Sequence, residues 1–360
     1  MTWLLLPFSW VYALVLAGRN WLYDQGYYKS EAGFVPLINV GNLRVGGTGK
    51  TPHVAWLVGE LLRQGQRPAI LSRGYGRRSR GPRLAGPADS AATVGDEPWQ
   101  YFEQFGAQNV PVAVAESRRH GLRLLRVHQP EITVIVLDDA YQHRAVRPNL
   151  NLLLTELARP FYLDYVLPAG RLRESRAGAR RADAVIITKC PPDLPAAAQA
   201  AIAAHVRRFT RSTQVPVLFS SYDYGPPTPL LPAEAAAPTV PTDSPAAPGN
   251  IALLLSGIAQ PGPLRQHVEK QGYTLTFQAR FPDHHLFTPA DLARVRRHWQ
   301  PGQPIFTTEK DATRLRRPEL AGALTGLPVY TIPVQVALLA DGAATLRREL
   351  SALFPAAISH

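Results

Sequence analysis

A glycine-rich loop between a predicted strand and a predicted helix constrains the fold of this chain more than any other segment. The run "VPLINVGN" at 35–42 is typical of a buried strand, and "PHVAWLVGELLRQG" at 52–65 has apolar residues at helical spacing. Pro52 is tolerated in the first turn of that helix. The loop between the two, "LRVGGTGKT", therefore has the strand–loop–helix context of a loop that binds phosphates.

Short apolar runs recur along the chain, and helical stretches separate several of them. The runs are "RPAILSRG", "PVAVA", "TVIVLDD", "LNLLLTE" and "DAVIITK", which begin at residues 67, 111, 133, 150 and 183. Alternation of this kind predicts an α/β fold of the P-loop NTPase type, in which a mostly parallel sheet carries helices on both faces.

Composition changes divide the chain into four predicted segments. Residues 1–30 form an N-terminal membrane-anchoring helix, and 31–221 form the core domain with the glycine loop. The stretch 222–250 is rich in Pro and Ala and is predicted to be a linker or a long surface loop. Residues 251–360 restart the strand–turn pattern at "NIALLLSGIAQP", which predicts a smaller C-terminal α/β domain.

The N-terminal run "WLLLPFSWVYALVLAG" at 3–18 contains no charged residue. Its length is near the lower limit for a spanning helix, which needs about 20 residues. A cleaved signal peptide fits poorly because no basic residue precedes the run. A buried core helix is a further alternative. We expect an uncleaved membrane anchor that either spans the bilayer or enters one leaflet, with its tryptophans at interfacial depth.

The chain carries a formal net charge of +12, nearly all of it from arginine. Arginine guanidinium groups bind phosphates with two hydrogen bonds at once, so the binding partner would be nucleic acid, anionic lipid or a phosphorylated substrate. A genome rich in G and C is an alternative source of the arginine bias. Nucleic acid is disfavoured because no recognition-helix or aromatic-interleaved basic pattern is present. The single cysteine, Cys190, excludes a disulfide framework and a cysteine-based zinc site.

The glycine loop has the residues that a nucleoside triphosphate site requires. Backbone N–H groups and the start of the next helix would surround the phosphates, a lysine would reach the β- and γ-phosphates, and a hydroxyl would bind Mg²⁺. The predicted nucleotide-binding residues are Gly46, Gly47, Thr48, Gly49, Lys50 and Thr51. The strict motif has a glycine where this chain has Arg44, and a glycine turn that binds nothing is the alternative.

Acidic residues follow a second predicted strand. "VIVLDD" places Asp138 and Asp139 at the carboxyl end of the sheet. One carboxylate would bind Mg²⁺, and the second would complete the metal shell or orient a nucleophile, while a solvated turn after the strand is the alternative. Asp96 lies in the turn "TVGDEPWQ", and His284 lies in "RFPDHHLF" of the second domain. An Asp–His pair across a cleft would accept a hydroxyl proton during phosphoryl transfer, although an Asx turn and a surface histidine are the alternatives.

Two arginine-rich segments complete the candidate chemistry. They are "SRGYGRRSRGPR" at 72–83, which begins with Ser72 and Arg73, and "RLRESRAGARR" at 171–181. Each combines several arginines with glycine and would hold a phosphorylated acceptor or anionic lipid headgroups. A solvated basic loop is the alternative for each.

Together these motifs resemble those of the tetraacyldisaccharide 4′-kinases of lipid A biosynthesis. The shared motifs occur in the family's order from about residue 4 to about residue 312. They are "LLLPFSWVYALV", "VGNLRVGGTGKTP", "LSRGYGR", "VGDEP", "VLDDAYQH", "LPAGRLRE", "DAVIITK", "SGIAQP", "FPDHH" and "TTEKDA". That family also accepts a residue other than glycine at the position of Arg44.

The resemblance implies an ATP- and Mg²⁺-dependent lipid kinase. It would transfer the γ-phosphate of ATP to the 4′-hydroxyl of a tetraacylated glucosamine disaccharide 1-phosphate, at the cytoplasmic face of the bacterial inner membrane. A substrate with four acyl chains stays in the bilayer, which gives the N-terminal helix a purpose. Hydrolysis of ATP without the lipid acceptor is expected to be low, because closure of two domains would assemble the site.

The resemblance also implies roles for single residues. Lys50 and Thr51 would contact ATP and Mg²⁺, and Asp138 and Asp139 would form the acidic pair at the metal. Asp96 would be the catalytic base and His284 its partner. The remaining positions in matching motifs are predicted as substrate contacts, namely Arg118, Arg73, Arg171 and Gln142, and as a further metal ligand, Glu174, with Arg173 beside it.

Three other functions compete with this one. "IITKCPPD" faintly resembles the guanine-reading motif of P-loop GTPases of the regulatory or metal-insertion type, but Pro191 stands where that motif needs an acidic residue. A preference for GTP over ATP would favour this alternative. A membrane-anchored ATP-binding module without activity leaves "GDEP" and "PDHH" unexplained. A cytosolic small-molecule kinase leaves the apolar N-terminus without a purpose.

Overall fold

The computed structural model describes residues 2–231 and 250–354, and it divides the chain into two units. Unit 1 comprises Met1–Tyr222 with Val336–His360, and unit 2 comprises Asp223–Gln335. The chain crosses between the units twice, once in strand β10 and once in strand β16. These two strands are neighbours in one sheet.

The strands are β1 Glu31–Ala32, β2 Leu37–Asn42, β3 Pro68–Ser72, β4 Arg83–Leu84, β5 Val112–Val114, β6 Val134–Asp138, β7 Val146–Arg147, β8 Leu150–Glu156, β9 Ala184–Thr188, β10 Val217–Tyr224, β11 Thr228–Pro229, β12 Ile251–Ser256, β13 Thr274–Arg280, β14 Ile305–Thr308, β15 Val329–Ile332 and β16 Val334–Leu338. The α-helices are α1 Leu6–Asp24, α2 Lys50–Arg63, α3 Ala91–Val94, α4 Asp96–Phe105, α5 Arg118–His128, α6 Ala196–Arg207, α7 Gly262–Lys270, α8 Pro289–His298, α9 Glu309–Leu315, α10 Ala321–Leu324 and α11 Gly342–Ser351. Short 3₁₀ turns lie at Thr2–Leu5, Gly106–Gln108, Phe161–Leu163, Arg176–Arg181 and Pro318–Leu320.

Unit 1 is built on one large sheet with the strand order β16-β10-β9-β8-β2-β6-β3-β5-β4 within the described residues. The pairs from β10 through β5 are parallel, and β4 pairs with β5 in the antiparallel sense. Every residue of the central strands β2, β3, β6, β8 and β9 is buried. Their mostly apolar sequences follow from this burial, because helices cover both faces of a parallel sheet.

Side-chain alternation along β2 separates the two faces. Ile38 and Val40 pack with Val54 and Leu57 of α2 in one core cluster. Leu37 belongs to the other cluster, with Leu122 and Leu125 of α5. The predicted α/β fold with a mostly parallel, doubly covered sheet is confirmed.

Unit 2 has its own five-stranded sheet, β11-β15-β14-β12-β13, in the part of the chain that the structure describes. Only β11 runs antiparallel to its neighbour. Separate apolar clusters lie around Leu253 and Phe287 and around Leu254 and Phe306. A fully buried ion pair joins Asp311 to Arg314 at 2.9 Å.

The structure divides the C-terminal half differently from the predicted boundaries. The end of β16 and helix α11 lie in unit 1, because Leu346 and Leu350 pack into the cluster that contains α2. Residues 223–231 of the predicted linker lie in unit 2, where β11 pairs with β15. Residues 232–249, the rest of that linker apart from Asn250, lie outside the described residues. Strands as short as β11 leave little hydrophobic pattern for a sequence-based boundary.

Helix α1 packs on unit 1 along one narrow face. Ser9 is buried, and its hydroxyl accepts a hydrogen bond of 2.9 Å from the Ala169 amide. Arg19 donates to the Gln142 carbonyl at 2.9 Å. The opposite surface exposes large apolar side chains, including Phe8, Trp10, Val11, Leu14 and Val15. Among the residues that the structure describes, no helix combines the length and the apolarity needed to cross a membrane.

Candidate active site

The glycine loop, residues 43–49, connects the end of β2 to the first residue of α2, Lys50. Its first part pairs with the arginine-rich segment: the Val45 amide donates to the Arg171 carbonyl at 2.8 Å, and the Arg173 amide donates to the Leu43 carbonyl at 2.7 Å. This pairing places the segment that begins at Arg171 directly beside the loop.

Two glycines of the loop have a backbone that favours glycine. Gly46 has φ 110° and Gly49 has φ 86°. A Cβ atom at Gly49 would overlap the hydroxyl of Tyr222, whereas Cβ atoms at Gly46 and Gly47 would meet nothing within 4 Å. The loop is therefore packed tightly where it joins α2 and is open at Gly46 and Gly47.

Strand β6 brings the acidic pair to the same edge of the sheet. Lys50 Nζ lies 3.6 Å from Asp139 Oδ1, and Arg173 Nη1 lies 2.8 Å from Asp139 Oδ2. The Ser72 hydroxyl donates to Asp138 Oδ2 at 3.0 Å. The structure thus joins the glycine loop, the acidic strand end and both arginine-rich segments, which sequence analysis selected separately.

The two neighbouring carboxyl groups differ in their ionisation. Burial raises the pKa of Asp138 to about 7, and the charges of Asp139 and Glu97 add to this rise. Burial also acts on Asp139, but Lys50 and Arg173 outweigh it and hold the pKa of Asp139 below its usual value. Two adjacent acids therefore share the site, and one of them, Asp138, is only partly ionised near pH 7.

The donor set at this edge fits a magnesium ion. Asp139 Oδ1 is buried and accepts no hydrogen bond. Mg²⁺ prefers oxygen ligands and is usually held by one or two carboxylates together with substrate phosphates. A cation here would also offset the repulsion from Asp139, which adds to the effect of burial on the pKa of Asp138. Within residues 2–231 and 250–354, no group of three or more His, Cys, Asp or Glu side chains is arranged to hold a metal ion.

Asp96 is the first residue of α4, immediately after Gly95. Gly95 has φ 100°, and a Cβ atom there would lie 3.0 Å from the Tyr75 carbonyl oxygen and 3.1 Å from Gly74 Cα. The "SRGYGR" loop therefore packs directly against the "GDEP" turn. Because the Glu97 charge acts on Asp138, the start of α4 lies near the acidic pair.

Arg118, a predicted substrate contact, is almost completely buried at 2% exposure. Its guanidinium donates to the backbone carbonyls of Ala115 at 3.0 Å and Asp138 at 2.9 Å. Burial lowers the pKa of Arg118 to about 10. These bonds hold the end of β6 in place and leave little of the side chain on the surface. Arg73 is exposed, and its positive charge contributes to the lowered pKa of Arg118.

Glu174, a predicted metal ligand, lies in a buried hydrogen-bond network. Arg181 donates to both carboxylate oxygens at 2.8 Å, and Gln142 Nε2 donates to Oε1 at 2.9 Å. Asn20 of α1 donates to Oε2 at 3.3 Å. Gln142 also donates to the carbonyl of Asn42, the last residue of β2, at 2.8 Å, which ties the network to the strand end that precedes the glycine loop. Both oxygens of Glu174 are thus engaged, and its role as a metal ligand stays a prediction.

His284 lies in unit 2, whereas Asp96 lies in unit 1, so their pairing stays a prediction. His284 has a left-handed backbone with φ 61°. Its Nε2 atom lies 3.2 Å from Lys310 Nζ and 3.9 Å from Asp283 Oδ2. An ammonium group can only donate, which leaves Nε2 as the acceptor and the proton on Nδ1.

Sequence analysis missed several side chains that contact the glycine loop. They are His53, Thr188 and Lys189, and each bonds to a carbonyl of the loop. Sequence analysis placed Lys189 in the strand run "DAVIITK", which is also a family motif, and in the weak guanine-reading motif, and predicted no contact with the glycine loop. The available signal was its place at the end of a buried strand, where parallel strands deliver polar groups to one edge.

Comparison with known proteins identifies the family. The family model for LpxK, tetraacyldisaccharide-1-P 4′-kinase, matches residues 1–354. The tetraacyldisaccharide 4′-kinase of Bacteroides thetaiotaomicron is 41% identical over 345 residues, which cover 93% of this chain and 88% of that protein. The corresponding kinase of Flavobacterium johnsoniae is 40% identical over 330 residues, which cover 91% of each protein.

A solved structure agrees with these relatives. The crystal structure of LpxK from Aquifex aeolicus in complex with ATP matches with a TM-score of 0.74 and 29% identity, and it covers 98% of this chain and 99% of that one. The GTPase alternative receives no support from these relatives. The chain belongs to the family of tetraacyldisaccharide-1-P 4′-kinases.

Proposed function

We propose that this chain transfers the γ-phosphate of ATP to the 4′-hydroxyl of a tetraacylated glucosamine disaccharide 1-phosphate. The single observation that carries the proposal is the 3.6 Å contact between Lys50 and Asp139, which brings the glycine loop and the acidic strand end into one site. Family membership and the ATP complex of the Aquifex aeolicus protein supply the nucleotide and the acceptor class.

In this proposal the glycine loop binds the phosphates of ATP. The backbone N–H groups from Gly46 to Gly49 and the N-terminus of α2 supply hydrogen bonds and a partial positive charge. Lys50 leaves Asp139 and reaches the β- and γ-phosphates when nucleotide is bound. The open space at Gly46 and Gly47 supports close approach of the phosphate oxygens.

Thr51, Asp138 and Asp139 would hold Mg²⁺ together with the phosphates. The ion neutralises charge on the transferring phosphoryl group. Asp138 would release its proton when the ion binds, and Arg173 would keep Asp139 in place.

Asp96 would remove the proton of the acceptor hydroxyl, and His284 would orient it. The position of Asp96 at the start of α4, fixed by Gly95 against the "SRGYGR" loop, supports a defined geometry for a base. Arg73, Arg171 and Gln142 would bind the phosphorylated disaccharide, because guanidinium and amide groups suit phosphate and sugar oxygens. Arg118 would act by holding the end of β6.

We also propose that α1 binds the surface of the inner membrane. Phe8, Trp10 and Leu14 are 65%, 68% and 74% exposed, an amount of apolar surface that is costly in water and favourable in the interfacial region of a bilayer. The inward face of α1 is bonded to Gln142 and Glu174, so the helix would hold the site against its lipid substrate.

The reaction is tested by incubating the protein with labelled ATP, Mg²⁺ and the tetraacylated disaccharide 1-phosphate in mixed micelles. Wild type is compared with Asp96→Asn, and Asp193→Asn is the control for loss of a surface carboxyl group. We expect labelled lipid from wild type and from the control, and at least a hundredfold lower rate from Asp96→Asn. Absence of lipid product from wild type would overturn the proposal.

The membrane proposal is tested by the double substitution Phe8→Asp with Leu14→Asp. The matched control is Val127→Asp, because Val127 is 72% exposed on α5, outside α1. Co-sedimentation with vesicles of phosphatidylethanolamine and phosphatidylglycerol should fall at least tenfold for the double variant and stay unchanged for the control. An equal loss of vesicle binding in the double variant and the control, or no loss in the double variant, would contradict the membrane proposal.

A further inference from the structure

We infer that Lys189 is a positioning residue that keeps the glycine loop in its phosphate-binding conformation, and that Arg44 holds Lys189 in place through Glu156. The inference rests on the proposed nucleotide-binding function of the loop. It assigns a role to Arg44, the residue that departs from the strict phosphate-loop motif, and to the lysine of "IITK".

A loop that points its N–H groups outward toward phosphates must turn carbonyl groups inward, where each needs a donor. Three consecutive carbonyls of the glycine loop meet this need with side chains. Lys189 Nζ donates to Gly47 O at 2.6 Å, and Thr188 Oγ1 donates to Thr48 O at 2.9 Å. His53 Nδ1 donates to Gly49 O at 2.7 Å.

The donors come from two elements that enclose the loop. Thr188 ends β9, Lys189 follows it, and His53 lies in the first turn of α2. His53 Nε2 in turn accepts from the Ser220 hydroxyl at 2.9 Å, which fixes the ring. These three carbonyls therefore have donors from within the protein, a preorganised arrangement that lowers the cost of binding phosphates.

Lys189 is itself held by a buried carboxylate. Its ammonium group contacts Glu156, which is 3% exposed and also accepts from Arg44 Nη1 at 3.4 Å. Arg44 Nε donates to Asp164 Oδ2 at 2.9 Å. Glu156 thus bridges the cations of Lys189 and Arg44, and Asp164 holds Arg44 in place.

This chain of contacts explains why arginine is used at position 44. A glycine there would leave the Glu156 carboxylate with one cation fewer, and a buried charge that loses a partner is costly. Lys189 also has a left-handed backbone with φ 59°, a conformation that is unfavourable in a residue other than glycine. The surrounding contacts maintain this backbone and aim the ammonium group at Gly47.

The first experiment measures the Kd of a non-hydrolysable ATP analogue for the full-length protein by calorimetry. Lys189→Met should raise this Kd by about tenfold to a hundredfold, because it removes a charge-assisted hydrogen bond to the loop. Lys189→Arg should recover part of the affinity. The matched control is Arg211→Met, which removes the cation of an exposed ion pair with Asp183 and should bind like wild type.

Steady-state kinetics separate positioning from general damage. In Lys189→Met the KM for ATP should rise while the KM for the lipid acceptor stays within about twofold, a split that a structural defect would not produce. Arg44→Met should act in the same direction. In the double variant the KM for ATP should rise by less than the product of the two single-variant increases, because Lys189 and Arg44 both act through Glu156.

Amide hydrogen exchange of the 43–51 segment, measured without nucleotide, gives a readout that is independent of catalysis. Exchange should be faster in Lys189→Met than in wild type and unchanged in Arg211→Met. Wild-type Kd and wild-type exchange in Lys189→Met would overturn the inference. Failure of wild type to bind the analogue would instead overturn the proposed function, so the two failures are distinguishable.

Discussion

At the residue scale, two buried side chains in the candidate site titrate far from their ordinary range. Burial raises the pKa of Asp138 to about 7, and burial lowers the pKa of His53 to about 4. Both groups therefore favour the neutral form in the folded protein. The consequences for stability have opposite signs, since one is an acid and the other a base.

Asp138→Asn should stabilise the protein while abolishing its activity. The folded pKa of Asp138 exceeds its unfolded value, so its stabilising contribution is present at low pH and lost as the pH rises through 7. In metal-free protein the gain in the free energy of unfolding for Asp138→Asn should be about 3 kcal/mol larger at pH 8 than at pH 5, and it should vanish only below pH 3.8, where the unfolded carboxyl is also protonated. Denaturant unfolding at the two pH values measures this, and the kinase assay should show at least a hundredfold loss. An unstable Asp138→Asn at pH 8 would contradict the argument.

His53 should make the protein sensitive to acid. Its folded pKa lies below its unfolded value, so the stability it contributes is present above pH 6.5 and is lost as the pH falls toward 4. The loss should reach about 3 kcal/mol, with a further contribution from His143, whose pKa burial also lowers to about 4. The difference between wild type and His53→Asn across pH 4 to 7 isolates the effect from the opposite trend of Asp138. The argument would be refuted if the free energy of unfolding varied with pH in the same way in wild type and in His53→Asn.

The residues of the site were predictable to different degrees. Lys50 and Asp139 were selected from separate motifs, and the structure places them in contact. The burial of Arg118 was not predictable, because sequence alone does not show whether a guanidinium meets substrate or backbone carbonyls. Lys189 was missed as a loop contact for a related reason: its target is a carbonyl of Gly47, and backbone groups leave no signature in a motif.

At the element scale, short loops set the positions of the catalytic elements. The start of α4 depends on close packing between Gly95 and the loop at Gly74 and Tyr75. The strands were predictable because all residues of β2, β6, β8 and β9 are apolar or buried in continuous runs. The two-residue strand β11 was not, because its Pro-rich surroundings indicate a linker.

Gly95→Ala should damage both stability and activity. The positive φ of 100° strains any residue other than glycine, and a methyl group would lie 3.0 to 3.1 Å from backbone atoms of Gly74 and Tyr75, which would have to shift. The free energy of unfolding should fall by about 1 to 3 kcal/mol, and kcat should fall because Asp96 moves. Gly59→Ala in α2 is the matched control, since a Cβ atom there meets nothing within 4 Å, and it should stabilise the helix by up to about 1 kcal/mol. Equal effects of the two substitutions would contradict the packing argument.

At the scale of the whole molecule, unit 2 is inserted into unit 1 through two neighbouring strands. Leu339 N donates to Phe219 O at 2.8 Å, and Gly225 N donates to Pro333 O at 3.0 Å. The two strands therefore run antiparallel, and Tyr224 lies opposite Val334. The predicted boundary at 251 missed this arrangement, because the return of the chain to unit 1 depends on long-range packing of α11.

Removal of residues 225–333 should leave unit 1 folded but inactive as a kinase. Tyr224 and Val334 would be joined by Asn-Gly, which makes a two-residue hairpin between antiparallel strands. Thermal unfolding should still shift upward with the ATP analogue, while lipid phosphorylation should be lost with His284. The full-length His284→Ala variant is the control for the loss of that side chain alone. Lipid product from the shortened protein would exclude unit 2 from the reaction.

The insertion also dictates an order of events during protein synthesis. Nearly all of unit 2 emerges from the ribosome before β16 and α11, which complete unit 1. Until they arrive, β10 is the terminal strand of the growing sheet, with an unpaired edge that attracts other chains. Nascent chains that stall before residue 334 would thus carry a finished second unit on an unfinished first one, and their β10 edge would be the natural target of a chaperone.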